Sequence, residues 1–181
     1  DPRALALAGW NEEEASAYGI PLLPWKQRFD QFDEACRIIH SLLTQTTTTF
    51  LGEHYRLENA RCEPKPIQKP RPPFLIGGGG EKRTLRIAAK YADDWNFPGG
   101  SPEQFAHKVS VLHEHCAAVG RDPKQIALST HVLAGADAEA TAAAAAGMVG
   151  AGATHLCLYF WDNRDPGMLG RTVEAVRQAI A

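Results

Sequence analysis

The stretch Phe74-Leu75-Ile76-Gly77-Gly78-Gly79-Gly80-Glu81-Lys82-Arg83-Thr84 decides the fold class of this chain. Three apolar residues predict a short buried strand, and four consecutive glycines stop it. Apolar residues between positions 85 and 91 then predict a helix. A strand that turns directly into a helix is the unit of a parallel α/β sheet, because the helix carries the chain back across one face of the sheet.

The same alternation continues on both sides of this unit. Strands are predicted at residues 3–10, 74–76, 92–96, 126–133 and 154–160. Helices are predicted at residues 28–45, 85–91, 102–119, 138–150 and 167–180, with a short helical turn at 12–18. The sequence therefore predicts an α/β fold with five strand-helix units. A closed (β/α)8 barrel takes eight strands and about 250 residues, so the sheet is either open or part of a barrel.

Residues 46–73 interrupt this rhythm. The β-branched run 46–49 and the segment 54–57 after Gly52 predict a hairpin. Five prolines between residues 62 and 73 fix φ and forbid helix, which predicts an extended arm leading to the next strand. We expect one domain over residues 1–181, with the hairpin and arm as an insertion at about 46–73.

Composition argues against several classes of partner. The 181 residues carry a formal net charge of -2, so nothing favours binding to nucleic acid or to an anionic membrane. The start, Asp1-Pro2-Arg3, has none of the pattern of a signal peptide, so we expect a cytoplasmic protein. The four cysteines and seven histidines are scattered without metal-ligand spacing, so no metal site is expected and the cysteines are interpreted as small core residues.

The glycine turn is the best chemical signal in the sequence. Amide groups in the first turn of a helix form an anion site, and glycine lets a phosphate approach the backbone. Gly77, Gly78, Gly79 and Gly80 would supply that approach, and Thr84 a hydroxyl group. The pattern is neither GxGxxG nor a Walker motif. The alternative is a tight turn that binds nothing.

Two Trp-Asn pairs form a second pattern. Trp10-Asn11 and Trp95-Asn96 each fall at the end of a predicted strand, which would bring them to the rim where α/β enzymes place their sites. A tryptophan offers a flat wall to an aromatic ligand, and an asparagine offers an amide for its polar edge. For each tryptophan, plain packing is the alternative. The neighbouring Asp93-Asp94 pair faces opposite sides of a strand, so we expect one of the two to orient other groups and not to act as a catalytic dyad.

Several of these residues lie in motifs that resemble the luciferase-like monooxygenase family, in particular its deazaflavin-dependent branch. The motifs that carry the resemblance are 9–13 (GWNEE), 18–21 (YGIP), 28–30 (RFD), 50–55 (FLGEHY), 64–66 (PKP), 73–85 (PFLIGGGGEKRTL) and 92–96 (ADDWN). They cover about residues 9–100, and the later strand-helix units fit the family's architecture without specific motifs.

The resemblance implies a (β/α)8 TIM-type barrel, here a partial barrel of about five parallel strands without the family's first three. It implies an oxidoreductase that transfers a hydride to or from, or oxygenates, a small organic substrate. Coenzyme F420 is the expected cofactor, with FMN as the alternative. Gly77 to Gly80 and Thr84 would hold its phosphate end, Asn11 would contact it, and Trp10, Trp95 and Asn96 would form the pocket rim. No catalytic residue is assigned.

Two other interpretations stay open on the residues alone. An open five-strand sheet exposes two edges, so the chain could be a non-catalytic remnant or a fragment that depends on assembly. It could also be a phosphate-binding barrel fragment of another chemistry, since fold alone does not fix function. The exposed edges lead us to expect a homodimer.

Overall fold

The computed structural model describes residues 3–160 and 165–181, so Asp1 and Pro2, on which the expectation about the amino terminus rests, lie outside the described residues. Strands and helices occur in the order β1 (Ala4–Ala6), α1 (Glu12–Ala17), α2 (Trp25–Thr44), β2 (Thr48–Leu51), β3 (Arg56–Ala60), β4 (Phe74–Gly77), α3 (Thr84–Tyr91), β5 (Asp94–Phe97), α4 (Pro102–Ala118), β6 (Ala127–Leu133), α5 (Ala138–Gly150), β7 (His155–Tyr159) and α6 (Pro166–Ile180).

These elements confirm the predicted α/β fold. The five-stranded parallel sheet has the strand order β1-β4-β5-β6-β7, and β2 pairs with β3 in a separate antiparallel hairpin. The chain divides into two compact units, residues 1–76 and residues 77–181. Within the described residues, none of the helices has the length and apolar character needed to cross a membrane.

In the first unit, β1 is much shorter than the predicted strand 3–10. It pairs in parallel with β4 from Ala4 opposite Phe74 to Ala6 opposite Ile76. The prediction was wrong for residues 7–10, which lie outside any strand. The alanine-leucine run has the composition of a strand, but Gly9 takes a φ of +80°, a left-handed conformation that ends extended pairing.

Helix α2 buries the side that its apolar spacing predicts. Phe29, Phe32 and Cys36 are buried, and Phe29 stacks on Trp25 one turn earlier. Further along, Ile38 is buried and Ile39 only half-buried, so the buried stripe shifts by one residue from the predicted one. Each large apolar side chain that is fully buried in this way stabilises the fold by about 1.5–3 kcal/mol.

The hairpin is fixed to α2 by one carboxylate. Glu34 accepts hydrogen bonds from the backbone N–H groups of Glu53 (2.7 Å), His54 (3.0 Å) and Tyr55 (3.0 Å). Partial desolvation raises the pKa of Glu34, but the three backbone donors outweigh it and hold that pKa below its ordinary value. The predicted hairpin is therefore confirmed, and a helix side chain holds its turn.

In the second unit, β5, β6 and β7 pair in parallel, with Trp95 opposite Leu128 and Thr130 opposite Leu156. Helix α4 begins at a capping box in which Ser101 and Gln104 exchange side-chain and backbone hydrogen bonds, as the Ser101-Pro102 sequence favours. Because successive strand residues face opposite sides, β5 has one side for Trp95 and Phe97 and the other for Asp94 and Asn96. These two sides have different roles at the site.

Candidate functional site

The glycine turn is anchored to β5 at its start. The N–H of Gly78 donates to the carbonyl oxygen of Asn96 (2.9 Å), and the indole Nε1 of Trp95 donates to the carbonyl oxygen of Gly78 (2.9 Å). Gly78 has a φ of +122°, which side chains with a Cβ rarely adopt. Both backbone polar groups of Gly78 are thus held by β5, and the turn has a defined conformation.

The next two glycines have no room for a side chain. A Cβ on Gly79 would lie 2.7 Å from Cε2 of Phe97, and a Cβ on Gly80 would lie 2.8 Å from Oγ1 of Thr84. Folding alone therefore requires glycine at both positions. The run of glycines is explained by the turn itself, and a case for ligand binding has to rest on other groups.

Thr84 supplies such a group. It is the first residue of α3 and is only 5% exposed, and its Oγ1 lies 2.8 Å from the position that a Cβ on Gly80 would take, so the hydroxyl is next to the glycine turn. Arg83, at the N-cap, makes no side-chain cap bond, and in the first turn of α3 the N–H of Leu85 donates to the carbonyl oxygen of Gly80 (3.0 Å). A hydroxyl beside a helix N-terminus that has no side-chain cap fits an anionic ligand such as a phosphate.

The structure places Trp95 beneath the turn. Its side chain is 0% exposed and lies inside β5, stacked on Phe105 of α4 (5.7 Å between ring centroids) and next to Phe97 (6.0 Å). A ring covered in this way does not offer a flat wall to a ligand, so the expected rim position does not fit its placement. The prediction placed Trp95 near the end of a strand at 92–96, whereas β5 continues one residue further, to Phe97, and contains Trp95 within it.

Asn96 points away from the aromatic stack and into a polar cluster. Its Nδ2 donates to Ser129 Oγ (3.1 Å), which in turn donates to Asp94 Oδ1 (2.6 Å). His155 Nδ1 lies 3.7 Å from the other carboxylate oxygen of Asp94. Asp94, only 2% exposed, therefore orients neighbouring groups, as expected of one member of the acidic pair.

A second cluster, which the sequence analysis missed, ties α4 to the turn through Glu81. Its carboxylate Oε1 accepts from Lys108 Nζ (2.5 Å) and His107 Nε2 (3.1 Å), and its carbonyl oxygen accepts from His115 Nε2 (2.8 Å). The Lys108 bond, followed by that of His107, lowers the pKa of Glu81. The spacing of His107, Lys108 and His115 on one helix was the available signal, but their partner is in a different element.

The loop after β5 was also missed as a structural partner of the turn. Gly99 and Gly100 have φ values of +126° and +145°. A Cβ on Gly100 would lie 2.9 Å from Cε1 of Phe97, whose opposite edge limits Gly79. The glycines that follow β4 and those that follow β5 therefore pack against opposite edges of the same Phe97 ring.

Trp10 and Asn11 belong to the first unit. Trp10 is 77% exposed and lies four residues beyond the end of β1. Asn11 is the N-cap of α1, where its Oδ1 accepts from the N–H of Glu14 (3.0 Å). Asn11 therefore has a structural role already, and its expected contact with a coenzyme stays a prediction.

Arg28, in the resemblance motif RFD, organises the loop around these residues. It is buried and bonds to the carbonyl oxygens of Leu23 (2.9 Å) and Gly9 (3.3 Å) and to Glu12 Oε1 (3.2 Å). Its guanidinium also lies 4.9 Å from the ring centre of Trp25. Arg28 therefore joins α2 to the loops at Gly9 and Leu23 and to the start of α1.

Among the residues that the structure describes, no group of three or more His, Cys, Asp or Glu side chains is arranged to hold a metal ion. Cys36 and Cys116 are buried, and Cys62 and Cys157 are half-buried.

Among solved structures, the chain is similar to an F420-dependent secondary alcohol dehydrogenase in complex with an F420-acetone adduct. That match has a TM-score of 0.65 and 18% identity, and covers 98% of this chain and 61% of the other. It is also similar to the EDTA monooxygenase from Chelativorans sp. BNC1, with a TM-score of 0.59 and 14% identity over 75% of this chain and 38% of the other. At such identities these similarities show the fold alone.

Sequence comparison identifies the family. The chain is 32% identical to the FMNH(2)-dependent dimethylsulfone monooxygenase of Pseudomonas putida, over 71% of this chain and 35% of that protein. It thus spans about a third of the length of the curated relatives it matches. The family model described as luciferase-like monooxygenase matches residues 6–177. Since that match covers nearly all of the sequence, the chain belongs to the luciferase-like monooxygenase family.

Proposed function

We propose that this chain is the coenzyme-binding part of a flavin-type oxidoreductase that acts on a small organic substrate. The observation that carries the proposal is the Thr84 hydroxyl at the end of the glycine turn, beside the first turn of α3, which has no side-chain cap. Membership of a family of monooxygenases supports the reaction class. When bound, the coenzyme would supply the hydride or the activation of oxygen, and the protein would supply orientation and exclusion of water.

Two coenzymes share the chemistry that this turn would recognise. Both FMN and coenzyme F420 carry a phosphate group on a ribityl-type chain. The relative at 32% identity is named for FMNH(2), whereas the F420-dependent neighbour is similar at 18% and in fold only. These findings favour FMN for this chain, in place of the F420 expected from the sequence motifs. Gly77 to Gly80 and Thr84 would hold the phosphate in either case.

The test uses Thr84 because glycine replacements would disturb the turn directly. Gly78→Val or Gly79→Val would strain a positive φ or displace Phe97 even without a ligand. Thr84→Val keeps the shape and removes only the hydroxyl. Fluorescence titration should show FMN binding to the unmodified chain, weakened about tenfold in Thr84→Val, as expected for a hydrogen bond to a charged group.

Thr84→Ser is the matched control, because it keeps the hydroxyl and loses a methyl group. Its FMN affinity should stay within about threefold of the unmodified chain. Riboflavin, which lacks the phosphate, should bind Thr84→Val and the unmodified chain equally. Titration with F420 in parallel identifies the preferred coenzyme. Equal FMN affinity in Thr84→Val and the unmodified chain would remove the turn as the phosphate site.

We further propose that the chain forms a homodimer. β1 and β7 are the two ends of the strand order, and Leu5 on β1 and Tyr159 on β7 are exposed. Unpaired strand edges favour association. Light scattering should give twice the 19.7 kDa chain mass at micromolar concentration. A folded monomer under those conditions would contradict the proposal.

A further inference from the structure

Lys108 lies beside the glycine turn, although it is 24 or more positions away from Thr84 and the glycines in the sequence. Its Cε is 3.9 Å from the position that a Cβ on Gly79 would take, so its aliphatic chain runs along the turn. Its ammonium group bonds to Glu81, the residue directly after the four glycines (2.5 Å). Helix α4 thus places a cation at the end of the turn. This cation lies outside the sequence motif that contains the turn.

The bond to Glu81 orients Lys108 without using up its hydrogen-bonding capacity. An ammonium group has three donors, and within the described part of the chain Glu81 is the one acceptor bonded to Lys108. Glu81 is itself held by His107 and His115 from the same helix. The lysine is therefore positioned in advance, which reduces the entropy lost when a long side chain binds a ligand.

The charge of Lys108 is already paired before any ligand binds. Glu81 and Lys108 neutralise one another. A phosphate held at the first turn of α3 adds negative charge beside Glu81, and a cation contact would offset the repulsion between them. The half-buried Lys108 side chain is better suited to that contact than the exposed Lys82, since water screens exposed charges strongly.

We propose that Lys108 is a phosphate-binding residue of the coenzyme site, held by Glu81 so that its ammonium group faces the phosphate at the glycine turn. The proposal rests on the proposed function, since it assigns a further ligand to the same phosphate. It adds a charged contact from α4 to a site otherwise made of backbone amides and one hydroxyl.

The test compares a coenzyme with its phosphate-free form. Lys108→Gln keeps a hydrogen-bond donor for Glu81 and removes the charge. It should weaken FMN binding about tenfold, equivalent to about 1.4 kcal/mol, and leave riboflavin binding unchanged. Lys108→Arg should restore most of the FMN affinity because it restores the charge. Lys124→Gln, the same change at an exposed lysine, is the control and should alter neither affinity.

Ionic strength gives a second readout that a purely structural role would not change. FMN affinity of the unmodified chain should fall more steeply with salt than that of Lys108→Gln, because one charge contact is missing in the variant. The same titrations are run with F420 and its phosphate-free deazaflavin chromophore.

The outcomes separate the two proposals. If the unmodified chain prefers FMN to riboflavin and Lys108→Gln keeps that full preference, Lys108 does not bind the phosphate. The glycine turn and Thr84 then bind the phosphate without it. If Lys108→Gln weakens FMN and riboflavin equally, the role of Lys108 is structural, and the inference is again overturned. If the unmodified chain binds neither coenzyme, or binds each no better than its phosphate-free form, both proposals are wrong.

Discussion

The same dipeptide, Trp-Asn, occurs twice in this chain with opposite results. Trp10 is 77% exposed and Trp95 is 0% exposed. Asn11 caps a helix through its side chain, whereas Asn96 is buried and bonds to Ser129. The sequence analysis treated the two pairs alike because each falls at the end of a predicted strand. Their surroundings, and not the residues themselves, decide what each pair does.

The difference follows from where each strand lies and ends. β1 is the first strand in the order and stops at Ala6, so Trp10 lies in a loop, where its side chain is exposed. β5 is central in the order and contains Trp95, whose ring meets Phe105 from α4. A tryptophan in a central strand of an α/β sheet is covered by helices, whereas one in a loop stays in contact with solvent.

The largest expected effect separates the two tryptophans. Trp95→Ala should lower the free energy of unfolding by about 3–5 kcal/mol, because it leaves a cavity in the aromatic stack and removes the bond to Gly78. Trp10→Ala should change it by less than about 0.5 kcal/mol, as for an exposed surface position. Urea denaturation followed by circular dichroism measures both. Losses of similar size would show that the contrast in burial is wrong.

The two asparagines should differ next. Asn96→Ala should lower the free energy of unfolding by about 1–3 kcal/mol, because it leaves the buried Ser129 hydroxyl without its hydrogen-bond donor. Urea denaturation measures this loss. A double-mutant cycle with Ser129→Ala isolates that interaction. Additive losses in the cycle would mean that Asn96 contributes through packing and not through this bond.

Asn11→Ala should cost about 1 kcal/mol, the usual loss for removing an N-cap side chain. Asn11→Asp keeps the acceptor for Glu14 N–H and should retain most of the stability. If coenzyme affinity falls in Asn11→Asp although the helix stays intact, the residue also contacts the ligand. If neither variant changes coenzyme affinity, Asn11 has only its capping role.

The smallest expected effect is on the pH dependence of thermal stability, through the carboxylates of Glu81 in the second unit and Glu34 in the first. The folded-state pKa of Glu81 is lowered by Lys108 and His107, so its ionised form stabilises the fold above about pH 4.5, the ordinary value of glutamate. That contribution is lost as the pH falls through the lower folded-state pKa. Thermal melting between pH 7 and pH 3 should therefore show a smaller fall in Tm for Glu81→Gln than for the unmodified chain.

In the first unit, the same experiment uses Glu34. Partial desolvation raises the pKa of Glu34, but hydrogen bonds from three backbone N–H groups lower it by more, so the pKa lies below its ordinary value. Glu34→Gln should likewise reduce the fall in Tm below pH 4.5. Glu58→Gln, an exposed change on β3, serves as the control. Curves for Glu81→Gln or Glu34→Gln that run parallel to the unmodified chain would contradict the corresponding prediction.

Local signals predicted most of the fold. The capping sequence Ser101-Pro102 and the apolar spacing of α2 act within one element, so α2 was predicted to within three residues at each end and the start of α4 to the residue. The left-handed φ of Gly9, by contrast, made the first strand shorter than its composition indicated.

The candidate site was only partly predictable. The glycine turn and Thr84 are adjacent in sequence, and their pattern was visible. The contacts of Lys108 and Phe97 with the turn depend on how α4 and β5 pack, which no spacing within a single element reveals. Tertiary packing also decided that the Trp95 ring would be covered.

The hydrogen bond from Trp95 to Gly78 also gives the turn its own optical reporter. A buried indole emits at shorter wavelength than exposed ones, and soluble quenchers such as acrylamide do not reach it. Trp10 and Trp25 are both exposed, so quencher would suppress their emission and leave that of Trp95. In a Trp161→Phe background, the remaining blue emission would come from the ring bonded to the turn. Its intensity and wavelength would report events at the glycine turn without any added label.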